Sequence, residues 1–487
     1  MGKQITDYQL YRWRYILGYA AIGFAFIGLL IIAGVFAPGG LSLPEMKSVV
    51  TSQALSISSF EPHSMINAPY QILQRISLEL FGVSNFSIKL PSLLLGAIAG
   101  FGILVLLRTW FRRNVAIITA ILVVTTGQFL FVAQNGTASI VYIFWSVWLL
   151  VAATMVSRQA KLAGLWKIAF FGIAALSLYT PLSIYILLAL ISAAFLHPHL
   201  RYLMKRLSKP KIALASVAAL LLLAPLFYAI VLQPSLGFTL LGIPASLPNL
   251  QENGLQLLRQ YFDFMSPSSG MLMTPVYGLG SMALIVLGII RLFTTKYTAR
   301  SYLISAWIIL LLPVLLINPS FTSVTFVPIL LLMAMGVNAL LSNWYQLFPL
   351  NPYARIAGLI PLAVLIGGMV LSGVDRYTYG YLYDPNTAGN FSKDLQLVNK
   401  TLAESDRGTT AIVTDSTETA FYAVVAHYQK DVSVLVPRQA PKTAPKTIIY
   451  SHAAYKTTQP GITPYRIITD GAAQNGDRFY IYKTNVK

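Results

Sequence analysis

The stretch Leu80–Phe111 reads LFGVSNFSIKLPSLLLGAIAGFGILVLLRTWF. After a polar entry that ends at Lys89, the run from Leu90 to Leu107 contains no charged residue, and Arg108 closes it. A bilayer core needs about 20 mostly apolar residues per helix. The segment 88–107 therefore reads as a membrane span with a cation at one mouth.

The same ruler finds further apolar runs at 15–36, 115–133, 138–156, 168–180, 182–196, 212–231, 275–292, 302–317, 324–341 and 356–374, about eleven spans in all. Tyr179-Thr180-Pro181 splits one long run into the short pair 168–180 and 182–196. Of 487 residues, 56% are hydrophobic and 10% charged, with mean hydropathy +0.65; soluble domains carry roughly 25% charge. The expected class is a mainly α, polytopic integral membrane protein.

The formal charge of +19 raises the question of nucleic acid, but the cations sit in short loops between apolar runs, which is a topology signal. With the N-terminus cytoplasmic, the inner loops hold Arg108, Arg112 and Arg113; Arg158, Lys161 and Lys167; Arg201, Lys205, Arg206, Lys209 and Lys211; and Lys296 and Arg300. The outer connections 134–137, 180–181 and 318–323 hold none. An odd span count then places the C-terminus outside. The first run, preceded by Lys3, Arg12 and Arg14, is longer than a cleaved signal's apolar core and reads as an uncleaved span.

The chain has no cysteine, hence no disulfide framework. Ten of its sixteen acids follow residue 374; the others are Asp7, Glu45, Glu61, Glu79, Glu252 and Asp263. None falls in the middle of a span, nor does any of the five histidines. Ion-coupled transporters place such groups near the midplane, so a pump or secondary transporter is disfavoured.

Five of the six early acids fall in two long outer loops, 37–87 and 232–274. Pro44 to Ala54 predicts a short helix with Pro44 near its first position and Glu45 in its first turn, where the helix dipole favours an anion. From Pro69, the spacing of Tyr70, Ile72, Leu73, Ile76, Leu80 and Phe81 predicts an amphipathic helix on the membrane surface, with Gln71, Gln74, Arg75 and Glu79 on its wetter side. The second loop carries LQENGLQLLRQYFDF and the Ser266–Gly270 turn.

Asn67-Ala68-Pro69-Tyr70, then Leu80-Phe81-Gly82, then Lys89-Leu90-Pro91-Ser92 entering a span resembles the C-type (GT-C) glycosyltransferases related to the protein O-mannosyltransferases and the lipid A aminoarabinose transferase. The resemblance implies a polytopic helical GT-C-like fold in a bacterial-type inner membrane and an external active cavity. It further implies inverting transfer of a sugar from a polyprenyl-phosphate donor to a lipid or protein glycan acceptor, with membrane lipid as the other partner and no nucleic acid. Such transfer needs a carboxylate to deprotonate the acceptor and cations for the leaving phosphate. No cofactor is expected, and no residue pattern supports a divalent metal.

Three charged landmarks of the family are missing. Its first outer loop opens with an acidic pair, usually Asp-Glu, where this chain has Pro44-Glu45; its Arg and Asp before the fourth span are replaced within Ala133–Ala138, and an Arg-Tyr by Ser320-Phe321. Glu45 is the candidate catalytic residue, against the alternative of a plain first-turn dipole complement. Arg75, Lys89 and Arg259 are candidate phosphate contacts or interfacial cations; Glu61, His63 and Tyr70 are candidate substrate contacts, with a solvated loop pair as the favoured reading of Glu61 and His63.

Residues 1–374 thus form the transferase-like membrane part, and 375–487 an extracytoplasmic α/β domain, with helices at 393–402 and 417–428 and strands at 410–414, 432–436, 447–450, 465–469 and 479–484. Two other readings stay open: a noncatalytic or transport protein for lipid-linked glycans on the same scaffold, and a polymerase- or ligase-like glycan enzyme.

Overall fold

The computed structural model describes residues 9–37, 39–55, 60–159, 162–206, 209–264, 276–295, 298–347, 352–384, 387, 389–404, 410–429, 432–437, 445–458, 460–470 and 476–483. Lys3, Asp7, Lys161, Lys296 and the Ser266–Gly270 turn lie outside them.

The chain starts with α1 (Gln9–Val35), passes through the short α2 (Leu43–Ala54) and α3 (Ala68–Phe81), and continues in α4 (Asn85–Trp110). Next come α5 (Arg113–Val124) and α6 (Gly127–Gln134), which meet at a 61° bend, and α7 (Ser139–Ser157), α8 (Ala163–Ser177), α9 (Ile184–Leu196), α10 (Pro198–Lys205) and α11 (Lys209–Leu232). The segment before the next long helices folds as α12 (Ser235–Leu241) and α13 (Leu250–Phe262). The bundle closes with α14 (Leu279–Thr294), α15 (Ala299–Ile317), α16 (Phe326–Leu347) and α17 (Pro352–Tyr383), the last running past residue 374.

Among the described residues, seven helices are long and apolar enough to cross a bilayer, or up to nine if each of two bent pairs is one span; α8 and α14 are shorter apolar helices. Glycines set the tightest packing. A Cβ at Gly288 of α14 would lie 1.9 Å from the Leu332 carbonyl oxygen, and one at Gly336 of α16 2.0 Å from that of Leu284. Only hydrogen fits at either place, the small-residue contact by which helices associate in lipid.

The α3 helix forms where its apolar spacing predicts, and most of its apolar residues face outward as expected of a helix on the membrane surface; the difference is in the glutamines, and in Tyr70, which is buried. Gln71 and Gln74 are buried, while Ile72, Leu73, Ile76, Leu80 and Phe81 are exposed. The wetter side expected for the glutamines is the protein interior, and the apolar residues face outward. In a membrane protein the surrounding solvent is lipid, so the outer face is the apolar one.

Beyond α17 lies a small α/β domain: α18 (Asp394–Glu404), β1 (Thr410–Val413), α19 (Ser416–His427), β2 (Val432–Leu435), β3 (Thr447–Ser451), α20 (His452–Thr458), β4 (Arg466–Thr469) and β5 (Asp477–Lys483). The sheet order is β2-β1-β3-β5-β4, with β1 parallel to β2 and β3, and β5 antiparallel to β3 and β4. The parallel β1–β2 pair needs a crossover, which α19 supplies.

This domain is seated on the segment before α4. Leu41, Met46, Val49, Leu78, Val83 and Ile88 share one core with Leu395, Val398, Phe421 and Val425. Leu41 and Ser392 form an antiparallel bridge with two 2.8 Å hydrogen bonds, and Asn399 and Tyr428 bond to Val83 O and Gln53 Oε1.

Candidate functional site

Pro44 and Glu45 occupy the first turn of α2, as Pro44 predicts. The Glu45 carboxylate is fully buried, and both its oxygens are engaged. Oε2 accepts from the Ser42 backbone N–H at 2.7 Å and the Ser42 hydroxyl at 3.0 Å, the backward reach of a capping-box acid. Oε1 accepts from the Gly136 N–H at 2.7 Å and lies 3.7 Å from Lys89 Nζ. Gly136 permits this approach, because a Cβ there would stand 2.8 Å from Ile88 and 3.2 Å from Glu45 Oε1.

A polar network surrounds the pair. Lys89, 1% exposed, donates to Gln134 Oε1 at 2.9 Å. Gln74 donates to the carbonyls of Gly136 and Ile88 and accepts from the Ser48 hydroxyl. Tyr70 shares a 2.8 Å hydrogen bond with Ser92, whose hydroxyl also reaches Thr137 O. Burial first, and then the nearby Glu45 charge, push the Tyr70 phenol above its ordinary pKa, opposed by the Ser92 bond. The residues 67–70 and 89–92 quoted from the sequence thus converge on the turn 135–137.

On the other side of that turn is a cavity of about 520 Å³. Pro44, Asn67, Asn135, Thr137 and Ser139 form one wall; Gln128, Tyr142, Gln256 and the stretch Ser320–Ser323 form the others. Among the described residues, no charged side chain lines it. Gln128 donates to the Thr322 hydroxyl at 3.1 Å, while Gln128 Oε1, Asn67 Oδ1 and Asn135 Oδ1 are buried without a hydrogen-bond partner. Buried amide oxygens left open are costly, and a hydroxyl-bearing ligand would satisfy them. Pro44 faces this space and Glu45 lies behind it.

The structure brings Glu45, Lys89 and Tyr70 together and places the other candidates elsewhere. Arg75 pairs with Glu79 at 2.8 Å and caps Leu55 O. Glu61 is exposed at the start of a short 3₁₀ turn, and His63 meets Gln233 at 2.7 Å. Arg259 is exposed on α13, three residues beyond Gln256 of the cavity wall, hence near its rim. Among the described residues no group of three His, Asp or Glu could hold a metal ion. The amides Gln74, Gln128, Gln134 and Asn135 went unassigned as site residues in the sequence. Their signal was present: carboxamides in or beside apolar runs, where burial demands partners.

A family model described as dolichyl-phosphate-mannose-protein mannosyltransferase matches residues 68–228. No curated protein sequence matches. Among solved structures, the chain resembles ArnT from Cupriavidus metallidurans in the apo state, with TM-score 0.55 and 12% identity over 96% of this chain and 98% of that one. The same enzyme bound to undecaprenyl phosphate gives TM-score 0.55 and 14% identity over the same shares. The Archaeoglobus fulgidus oligosaccharyltransferase tethered to an acceptor peptide gives TM-score 0.50 and 12% identity over 87% of this chain and 64% of that one. The fold is that of the GT-C glycosyltransferases.

Proposed function

We propose that this chain, with its GT-C fold, is a membrane glycosyltransferase that moves a sugar from a polyprenyl-phosphate donor to a lipid or protein glycan acceptor, with inversion. Its cavity and C-terminal domain face the extracytoplasmic side and its N-terminus the cytoplasm, as the distribution of cations favours. The observation that carries the reading is the amide- and hydroxyl-lined cavity between α2, the turn 135–137 and the stretch 320–323, placed where the residues of the family resemblance converge. Similarity to a structure holding undecaprenyl phosphate supports the donor class.

Glu45 is the acid on which the site depends. It holds Gly136 and Lys89 in place behind the cavity wall, and it reaches an acceptor hydroxyl only once its Ser42 cap opens. Arg259 at the rim is the phosphate contact the geometry favours over Arg75 and Lys89, both already engaged. Tyr70 supports the wall through Ser92; Glu61 and His63 serve acceptor binding at the exposed loop.

One observation favours a second reading, a noncatalytic carrier of lipid-linked glycans: proline stands on the cavity wall where the resemblance expects an aspartate. Sugar release from polyprenyl-phosphate donors by wild type, Glu45→Gln and Pro44→Asp separates the two. A transferase with Glu45 as base loses roughly 10²–10⁴-fold in Glu45→Gln. An inert wild type that still binds the glycan lipid, and gains turnover in Pro44→Asp, supports the carrier.

A further inference from the structure

A second cavity, of about 360 Å³, lies between the α5–α6 bend, the start of α14 and the upper part of α17. Among the described residues, its only charged lining residue is Arg376. The Nη2 of this guanidinium is buried without a hydrogen-bond partner, and no salt bridge of Arg376 is found among the described residues. Arg376 as a whole is half-buried, but a guanidinium nitrogen enclosed beside apolar helices with no counter-anion is costly, and such groups in membrane proteins pair with something. Snorkelling toward water would leave the nitrogen exposed, whereas this one is enclosed.

Arg376 shares the cavity with a second anion-favouring element. Gly278, Leu279, Gly280 and Ser281 line it, and they are the N-cap and first turn of α14, a helix of 16 residues that no side chain caps. The free N–H groups of a first turn attract anions. The space in front of this turn is open, since nothing lies within 4 Å of a Cβ built on Gly278. A guanidinium and an uncapped helix start facing one space make an anion site.

The surroundings specify what carries the anion. Leu279 and Val364 line the cavity yet are each 70% exposed, and Leu365 and Leu371 beside them are exposed as well. The mouth therefore opens on an apolar, lipid-facing surface. The depth also fits. Tyr377, next to Arg376, donates its hydroxyl to the carbonyls of Ala33 and Ala37 at the end of α1, so Arg376 is level with the end of a span, where lipid headgroups lie.

We infer that the cavity between α14 and α17 binds the phosphate of a lipid, held by Arg376 and the first-turn amides of α14, with its apolar chain leaving past Leu279 and Val364. This site requires no transfer chemistry, so it stands or falls separately from the glycosyltransferase reading. The phosphate belongs either to a polyprenyl carrier or to bulk anionic phospholipid.

The test uses the full chain in phosphatidylcholine nanodiscs, titrated with undecaprenyl phosphate, phosphatidylglycerol, undecaprenol and inorganic phosphate, with binding read by native mass spectrometry. Arg376→Gln is expected to weaken the phosphate-bearing lipid roughly ten-fold, the scale of one charge-assisted hydrogen bond. Gly278→Asp caps α14 with a carboxylate, which preserves the helix and repels phosphate; a similar loss at an unchanged melting temperature is expected. Undecaprenol binding stays unchanged in both. Binding of undecaprenyl phosphate alone assigns the carrier lipid, and equal binding of phosphatidylglycerol assigns bulk phospholipid. Equal affinity of wild type and both variants for these lipids overturns the site. Inorganic phosphate bound as tightly as the lipids overturns its lipid part.

Discussion

At Glu45 a carboxylate is held by two backbone N–H groups, one hydroxyl and, at 3.7 Å, an ammonium. Removing its charge leaves Lys89 buried without an anion, and breaking one side of a buried pair costs about 3–5 kcal/mol. Glu45→Gln is therefore expected to lower the melting temperature in detergent, and adding Lys89→Met to restore part of the loss. A coupling above about 0.5 kcal/mol in that cycle marks an interacting pair; strictly additive losses would refute it. The first-turn position of Glu45 was legible from Pro44. Its partner Gly136 was not, because it stands 91 residues away and no local pattern links a helix start to a distant turn.

Among the elements, α3 shows most clearly what a lipid environment changes. Its period gave the helix and its outward apolar face, but Gln71 and Gln74, assigned to the wetter side, are buried against protein. Gln74, fully buried, bonds to Gly136 O, Ile88 O and Ser48. Gln74→Leu strands those groups, and each unsatisfied buried polar group costs about 1–3 kcal/mol. The expected result is a clear fall in melting temperature, larger than for Ile76→Leu on the exposed face; equal effects would put Gln74 back on a wet face. The contact between α14 and α16 gives a second case. Gly336→Ala puts a methyl into the Leu284 carbonyl, so the helices must separate. A loss at least as large as that of Gly367→Ala, whose Cβ meets nothing within 4 Å, checks this by the same assay.

For the whole molecule, the strands and helices of the C-terminal domain were readable because they alternate in a polar, soluble-like segment. Its seat on α2 and α3 was not, because Leu41 reads as a loop residue and Met46 and Val49 as part of a short helix, with no local pattern that names their partners in α18 and α19. Arg478 holds Asp394 by a paired contact within this domain. Beside it the Glu418 carboxyl is raised above its ordinary pKa, by burial first and the Asp394 charge second, with Arg478 opposing. A raised acid binds its proton more tightly folded than unfolded. Its stabilising contribution is thus present below the unfolded value of about 4.3 and is lost as pH rises through the folded value. Glu418→Gln should accordingly raise the melting temperature at pH 7.5, with the gain vanishing toward pH 4; a lower melting temperature at pH 7.5 would contradict this.

The Tyr377 hydroxyl and the Leu41–Ser392 bridge join the beginning of the chain to residues more than 300 positions later. During synthesis, the first span and the strand leading to Ser42 wait for almost the entire polypeptide before these partners emerge. The wall that carries Pro44 and Glu45 is therefore completed near the end of translation, and a ribosome that stops before residue 377 releases a chain whose opening segment packs on α4 and α6 through its first span but lacks its bonds to Tyr377 and Ser392.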